Sequence, residues 1–160
     1  MISTLKRCAC FSLLVTTLIF ASTLSVAAQS TEEERYVDEL IVTISIPRVG
    51  TGEIAAAIID NQAFVSVIDL FNLLKIKVDY SPGFDEITGF IVEEYALYTI
   101  FRDAHTIEFK GKRHLFTPQD FFRTETTLYM NTKLFEVFGL ELTFNFRALG
   151  VTLNTQVDLP

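Results

Sequence analysis

The chain has 160 residues, a formal net charge of −7, a 49% hydrophobic share, fifteen Phe and no Trp. That length holds one domain or two small ones. The acidic balance argues against nucleic acid or anionic membrane as a partner, since both are bound by Lys and Arg clusters; the missing Trp argues against a tryptophan-lined sugar platform.

The N-terminus carries a targeting pattern. Lys6 and Arg7 give a positive start, Phe11 to Leu24 is apolar apart from scattered Ser and Thr, and Val26-Ala27-Ala28 supplies the small residues that a signal peptidase reads. The pattern predicts a signal peptide over residues 1–28, with Gln29 as the first mature residue. The apolar run is short and interrupted for a membrane span of roughly 20 residues, so a retained signal anchor is the lesser reading. Cys8 and Cys10 precede or open that run, which places neither where a lipid-bearing cysteine follows its signal. Cleavage leaves eleven basic residues against 20 acidic ones, a charge near −9, and no cysteine. The expected mature chain is exported to the periplasm or cell surface. It does not span the membrane, and it is held by core burial without disulfides.

Residues 29–39 read as a polar leader containing Glu32-Glu33-Glu34. Leu40 to Ile46 alternates apolar and polar, the period of a half-buried strand, and Pro47, Gly50 and Gly52 interrupt it. Glu53 to Ile59 and Ala63 to Val65 form a predicted hairpin around Asp60-Asn61. Ser66, with Asp69 three residues on, predicts a capped helix whose apolar stripe is Val67, Leu70, Phe71 and Leu74. Ile76 to Tyr80 follows as a strand, with Ile76, Val78 and Tyr80 inward. Ile87 to Val92 returns after a turn. Tyr95–Phe101, His105–Phe109 and Arg113–Phe116 are predicted connecting hairpins.

The chain then repeats itself. Sliding Phe64–Tyr80 forward by 64 positions lays it on Leu128–Phe144, with Leu70 on Leu134, Phe71 on Phe135 and Tyr80 on Phe144. Thr126 to Tyr129 becomes a lead-in strand, and Asn131 or Thr132 a helix cap. Gly139 becomes a left-handed C-cap, which Lys75 occupies less well in the first copy. Leu140–Phe144 and Leu149–Leu153 form a closing hairpin, whose turn Asn145–Ala148 reads as shorter than its counterpart. The expected fold is α+β: two repeated units, each a small antiparallel sheet with one short helix. Residues 40–92 form the first, 93–116 connecting hairpins, 117–155 the second, and 156–160 a linker or tail.

The segment NQAFVSVIDLFNLLKIKVDYSPGFDEITGFIV, residues 61–92, resembles the copper amine oxidase N-terminal-like domain of bacterial envelope proteins. Phe138-Gly139-Leu140 and Phe144 make the second copy the closer match. A similar helix–strand pattern occurs in small periplasmic domains of secretins and TonB-dependent receptors. The resemblance implies an accessory module remote from copper and quinone chemistry. The precursor tyrosine and histidine ligand set are absent, so it carries over no catalytic residue and no cofactor.

The residues themselves offer no clear catalytic set. His105 and His114, with Glu108 nearby, are two imidazoles where a metal site wants three or more ligands. Asp85-Glu86 and Glu93-Glu94 are adjacent pairs, whereas glycosidase carboxylates converge across a cleft. Gly50-Thr51-Gly52 lacks the further glycine and lysine of a phosphate loop. The candidate binding residues are aromatics near turns: Tyr80, Phe84, Phe121, Phe122 and Phe146. Edge strands offer a second route to a partner. The expected function is a non-enzymatic interaction or spacer module of an envelope protein or larger assembly. A cell-wall glycan binder and a small metal-dependent hydrolase stand as the alternatives.

Overall fold

The structure, a computed structural model, describes residues 37–47 and 49–155. The predicted signal peptide, most of the leader and the tail lie outside the described residues. β1 (Asp38–Ile46) buries Val42, Ile44 and Ile46 and leaves Ile41, Thr43 and Ser45 outward. It pairs antiparallel along its whole length with β2 (Gly50–Ile59). β2 pairs in turn with β3 (Gln62–Ser66) through the Asp60-Asn61 turn, where both residues adopt positive φ.

α1 (Val67–Leu73) follows β3 without a linker. Ser66 caps it, its Oγ accepting from the Asp69 N–H at 3.2 Å, and the Asp69 carboxylate accepts from the Ala55 N–H at 3.3 Å. Leu73 lies over Gly52, where an added Cβ would meet its side chain at 2.8 Å. Gly52 therefore serves the approach of α1, while three alanines follow it at Ala55, Ala56 and Ala57. They permit a helix in isolation, but pairing on both sides holds them as a strand.

β4 (Lys77–Tyr80), β5 (Glu86–Phe90), β6 (Leu97–Phe101), β7 (Thr106–Phe109) and β8 (Lys112–Leu115) form a five-stranded antiparallel meander. A 3-10 turn at Pro118–Asp120 leads to β9 (Phe121–Arg123), and β10 (Leu128–Asn131) enters a 3-10 helix at Thr132–Phe138. β11 (Leu140–Asn145) and β12 (Gly150–Thr155) close the chain. The other sheet has seven strands in the order β11-β12-β1-β2-β3-β10-β9, with β1 and β12 parallel.

This architecture overturns the expected α+β arrangement of two repeated units. Strand accounts for 55% of the structure, and helix is confined to short segments. The two copies do not build separate sheets. β3 pairs with β10, and β1 pairs with β12, so the seven-stranded sheet draws on both ends of the sequence. A sheet of two or three strands would leave both edges unpaired, and the two joins remove four such edges. The connecting hairpins join β4 and β5 to complete the second sheet.

What survives of the repeat is local register. Tyr80 pairs with Ile87 and Phe144 with Val151, each pair displaced from the other by the same 64 positions. Ser81 donates its N–H to Glu86 O, as the Asn145–Gly150 pairing has its counterpart. The two turns are thus equal in length, and the expectation of a shorter second turn is corrected.

The core between the sheets centres on aromatic rings. Phe71 meets Tyr98, Phe135 and Phe138 edge-on, at 5.2, 6.1 and 5.6 Å between centroids. Phe138 also meets Tyr98 and Phe109, each at 5.5 Å. Such pairs contribute about 0.5–1.5 kcal/mol each beyond area burial. A smaller cluster of Ala57, Ile59, Phe64 and Tyr129 lies on the opposite face of the seven-stranded sheet.

Candidate functional surface

The five aromatic candidates fall in different environments. Tyr80, expected inward, is 54% exposed at the end of edge strand β4. It lies 5.1 Å from Phe84, which is buried in the following turn at a φ of 58°. Phe121 is core, its ring 4.2 Å from Phe116. Phe122, its neighbour on β9, points to the other face, stacked on Tyr129 at 4.7 Å and edge-on to Phe64 at 5.3 Å. Phe146 is 43% exposed in the β11–β12 turn, beside Phe144. Tyr80 and Phe84 meet. The five do not make one patch.

The turn below Tyr80 is built by arginine. Arg102 pairs with Asp85 and Asp103, and its Nη1 donates to Gly83 O at 3.4 Å. Arg123 reaches the same carbonyl from β9 at 3.5 Å. Asp85 is thereby committed to holding the turn.

The imidazoles do not converge with Glu108. His105 sits in the β6–β7 turn at a φ of 50°, with Nδ1 2.7 Å from the Arg102 carbonyl. A carbonyl oxygen only accepts, so Nδ1 is the donor of this bond. His114 lies opposite Ile107, and Glu108 lies opposite Arg113 on the next position of the ladder. Successive strand positions face opposite sides of a sheet, so Glu108 and His114 are separated by the sheet itself. Glu108 accepts from Arg113 Nε and Nη2 at 3.0 and 2.7 Å. Among the described residues no group of three or more His, Cys, Asp and Glu is placed to hold a metal ion.

The outer face of the five-stranded sheet presents a polar row to solvent. Asp79, Thr88, Thr99, Glu108 and Arg113 stand side by side across all its strands. Ion pairs close both ends of this row, Lys77–Asp79 at 2.9 Å and Arg113–Glu108 at 2.7 Å. Leu97 and Leu115 flank it at 61% and 78% exposure. Sequence reasoning missed these two leucines. Their signal was alternation: each shares a strand face with the polar residue two positions away, Thr99 and Arg113.

Among the described residues no helix is long and apolar enough to cross a membrane. Compared with known protein families, curated proteins and solved structures, the chain matches none.

Proposed function

We propose that the chain is a non-enzymatic interaction or spacer module of an exported bacterial envelope protein or assembly. The observation that carries this reading is the ion pairing of carboxylates on and beside the outer face of the five-stranded sheet. Asp85 is paired with Arg102, Glu108 with Arg113, and Asp79 with Lys77. What they leave is a polar sheet face with the isolated exposed Leu97 and Leu115, suited to contact with another surface. The resemblance of residues 61–92 to the copper amine oxidase N-terminal-like domain points the same way. The pattern over residues 1–28 supports an address beyond the cytoplasmic membrane.

The test is a pull-down from envelope fractions with the full chain as bait, beside a variant carrying Leu97→Asp and Leu115→Asp. A partner recovered by the first and lost by the second supports the reading. No partner from either sinks it. Co-sedimentation with purified cell wall separates a glycan ligand from a protein one. Replacing His105 and His114 together with Ala is expected to leave partner recovery and metal content unchanged.

A further inference from the structure

The described strands end in four sheet edges, β4, β8, β9 and β11. The open N–H and C=O groups of an edge template the addition of another strand, and proteins blunt such edges with short length, Lys, Pro or bulges. Three of these edges are blunted. β9 has only 3 residues and ends in Arg123. β8 carries Lys112 and Arg113, both exposed. β4 has only 4 residues and presents the charged Lys77 and Asp79. β11 differs. At 6 residues it is the longest of the four, it contains no Lys, Arg or Pro, and Glu141 is its one charged residue. The turn that follows it exposes Phe146 and Leu149 at 43% and 50%.

We propose that β11 is a strand-addition edge whose partner is β11 of a second copy of this chain, paired antiparallel about a twofold axis at Thr143. Residues directly opposite in an antiparallel pair share a sheet face. A twofold axis normal to the sheet therefore matches odd positions with odd and even with even. Centred on Thr143, Leu142 lies opposite the partner's Phe144, extending the half-buried apolar row of both copies. Glu141 lies opposite the partner's Asn145, so no two carboxylates are apposed. The same register carries the exposed Phe146 to the start of the partner's strand. Centring on Leu142 instead leaves Phe146 beyond the paired residues.

Five paired residues bury much less than the roughly 800 Å² per partner of a standard interface. The association is accordingly weak and concentration-dependent. The formal net charge of −7 on each copy opposes it at long range, so added salt strengthens it. The proposal does not rest on the export reading, because it uses only the edge and its residues.

Sedimentation equilibrium of the full chain, from micromolar to millimolar concentration and at two salt levels, tests it. Thr143 is exposed in the single chain, so Thr143→Lys and Thr143→Glu leave the fold intact, as circular dichroism checks. Each variant alone sets like charges against each other at the axis and weakens the dimer by about tenfold or more. An equimolar mixture sets Lys against Glu and restores it. A chain that stays monomeric throughout, a dimer indifferent to residue 143, or a mixture that fails to recover each overturns the proposal.

Discussion

Val65 and Met130 face each other across β3 and β10, and each is the other's counterpart in its own hairpin. Val65 pairs backwards with Ala56, and Met130 pairs backwards with Phe121, the same distance along each segment. A local twofold axis therefore passes between these two fully buried residues. On one side of it Ser66 lies opposite Tyr129, and on the other Asn131 lies opposite Phe64. Ser66 and Asn131 are both helix caps. Each also reaches the other hairpin: Ser66 Oγ lies 2.8 Å from Thr127 Oγ1, and Asn131 Nδ2 donates to Gln62 Oε1 at 2.6 Å. A one-residue slip at this joint would turn every side chain to the wrong face.

The helices on either side of that joint end in the same backbone conformation with different residues. Lys75 holds a φ of 56° and Gly139 a φ of 77°. A left-handed residue with a Cβ is strained there, and glycine is not. Lys75→Gly is expected to stabilise the protein by about 0.5–1 kcal/mol, and Gly139→Lys to cost about 1 kcal/mol. Urea unfolding of both variants measures this. Changes of the same sign would show that the left-handed geometry is not the controlling factor.

Gly89 is held by space rather than by φ. An added Cβ would overlap the Lys77 carbonyl oxygen on β4 and come within 2.7 Å of the Tyr98 hydroxyl. Relief requires moving the edge strand or breaking the bond from Tyr98 to Lys77 O. Gly89→Ala is expected to cost about 2–3 kcal/mol or more, as for an overpacked core site. Thr88→Ala, one position along, is the control and is expected to stay within about 1 kcal/mol.

Two buried tyrosines contribute stability that is lost at alkaline pH. Burial raises Tyr98 above its ordinary pKa of 10.0, with the Asp79 charge adding to it. Burial and then the Glu39 carboxylate raise Tyr129, although no hydrogen bond of normal geometry reaches its hydroxyl. The unfolded chain loses these protons near pH 10, whereas the folded chain keeps them to higher pH. Stability is thus fully present below pH 10 and falls as pH climbs from there through the folded values. Phe at either position is expected to flatten that fall. At neutral pH the two separate: Tyr98→Phe loses its bond to Lys77 O and costs about 1 kcal/mol, while Tyr129→Phe is neutral within about 0.5 kcal/mol. Denaturation at neutral and alkaline pH reads both; equal losses at neutral pH would contradict the assignment.

Elements governed by their own residues were legible in the sequence. The alternation of Val42, Ile44 and Ile46, the Asp60-Asn61 turn, the Ser66 cap and the left-handed Gly139 all stand where local chemistry places them. What was not legible is governed by distant partners. Nothing near Val65 names Met130 as its neighbour, and nothing near Ile44 names Val151. The three-residue β9 is too short for period-two alternation to register. Tyr80 follows the inward alternation of Ile76 and Val78, yet it ends an edge strand where no described element covers it. Of the candidate aromatics, Phe121 and Phe122 were singled out by type. Their environment depends on which face of the sheet each meets, which a strand only three residues long does not reveal.

The spacing of the repeat itself carries the last consequence. From Leu70 onward the offset between copies is 64, but the caps Ser66 and Asn131 stand 65 apart. One residue is therefore missing between Asn131 and Leu134. At the uniform offset of 64, Val67 would fall on Asn131, an apolar helix residue on a cap. The missing residue explains why the second helix is 3-10: seven residues, Thr132–Phe138, bridge the gap that eight, Val67–Leu74, bridge in the first copy. A 3-10 helix rises about 2.0 Å per residue against about 1.5 Å for an α-helix, so the shorter segment can span it only by winding more tightly. Inserting one Asp between Lys133 and Leu134 restores the first copy's spacing, with Asp at the position of Asp69. The insertion is expected to cost less than about 1 kcal/mol and to raise the α-helical signal near the second cap. The same insertion between Glu136 and Val137 displaces buried Phe138 from its cap-to-core register and is expected to cost about 3 kcal/mol or more. Circular dichroism and urea unfolding of the two insertions settle the comparison, and equal losses would show that the missing residue does not set the winding.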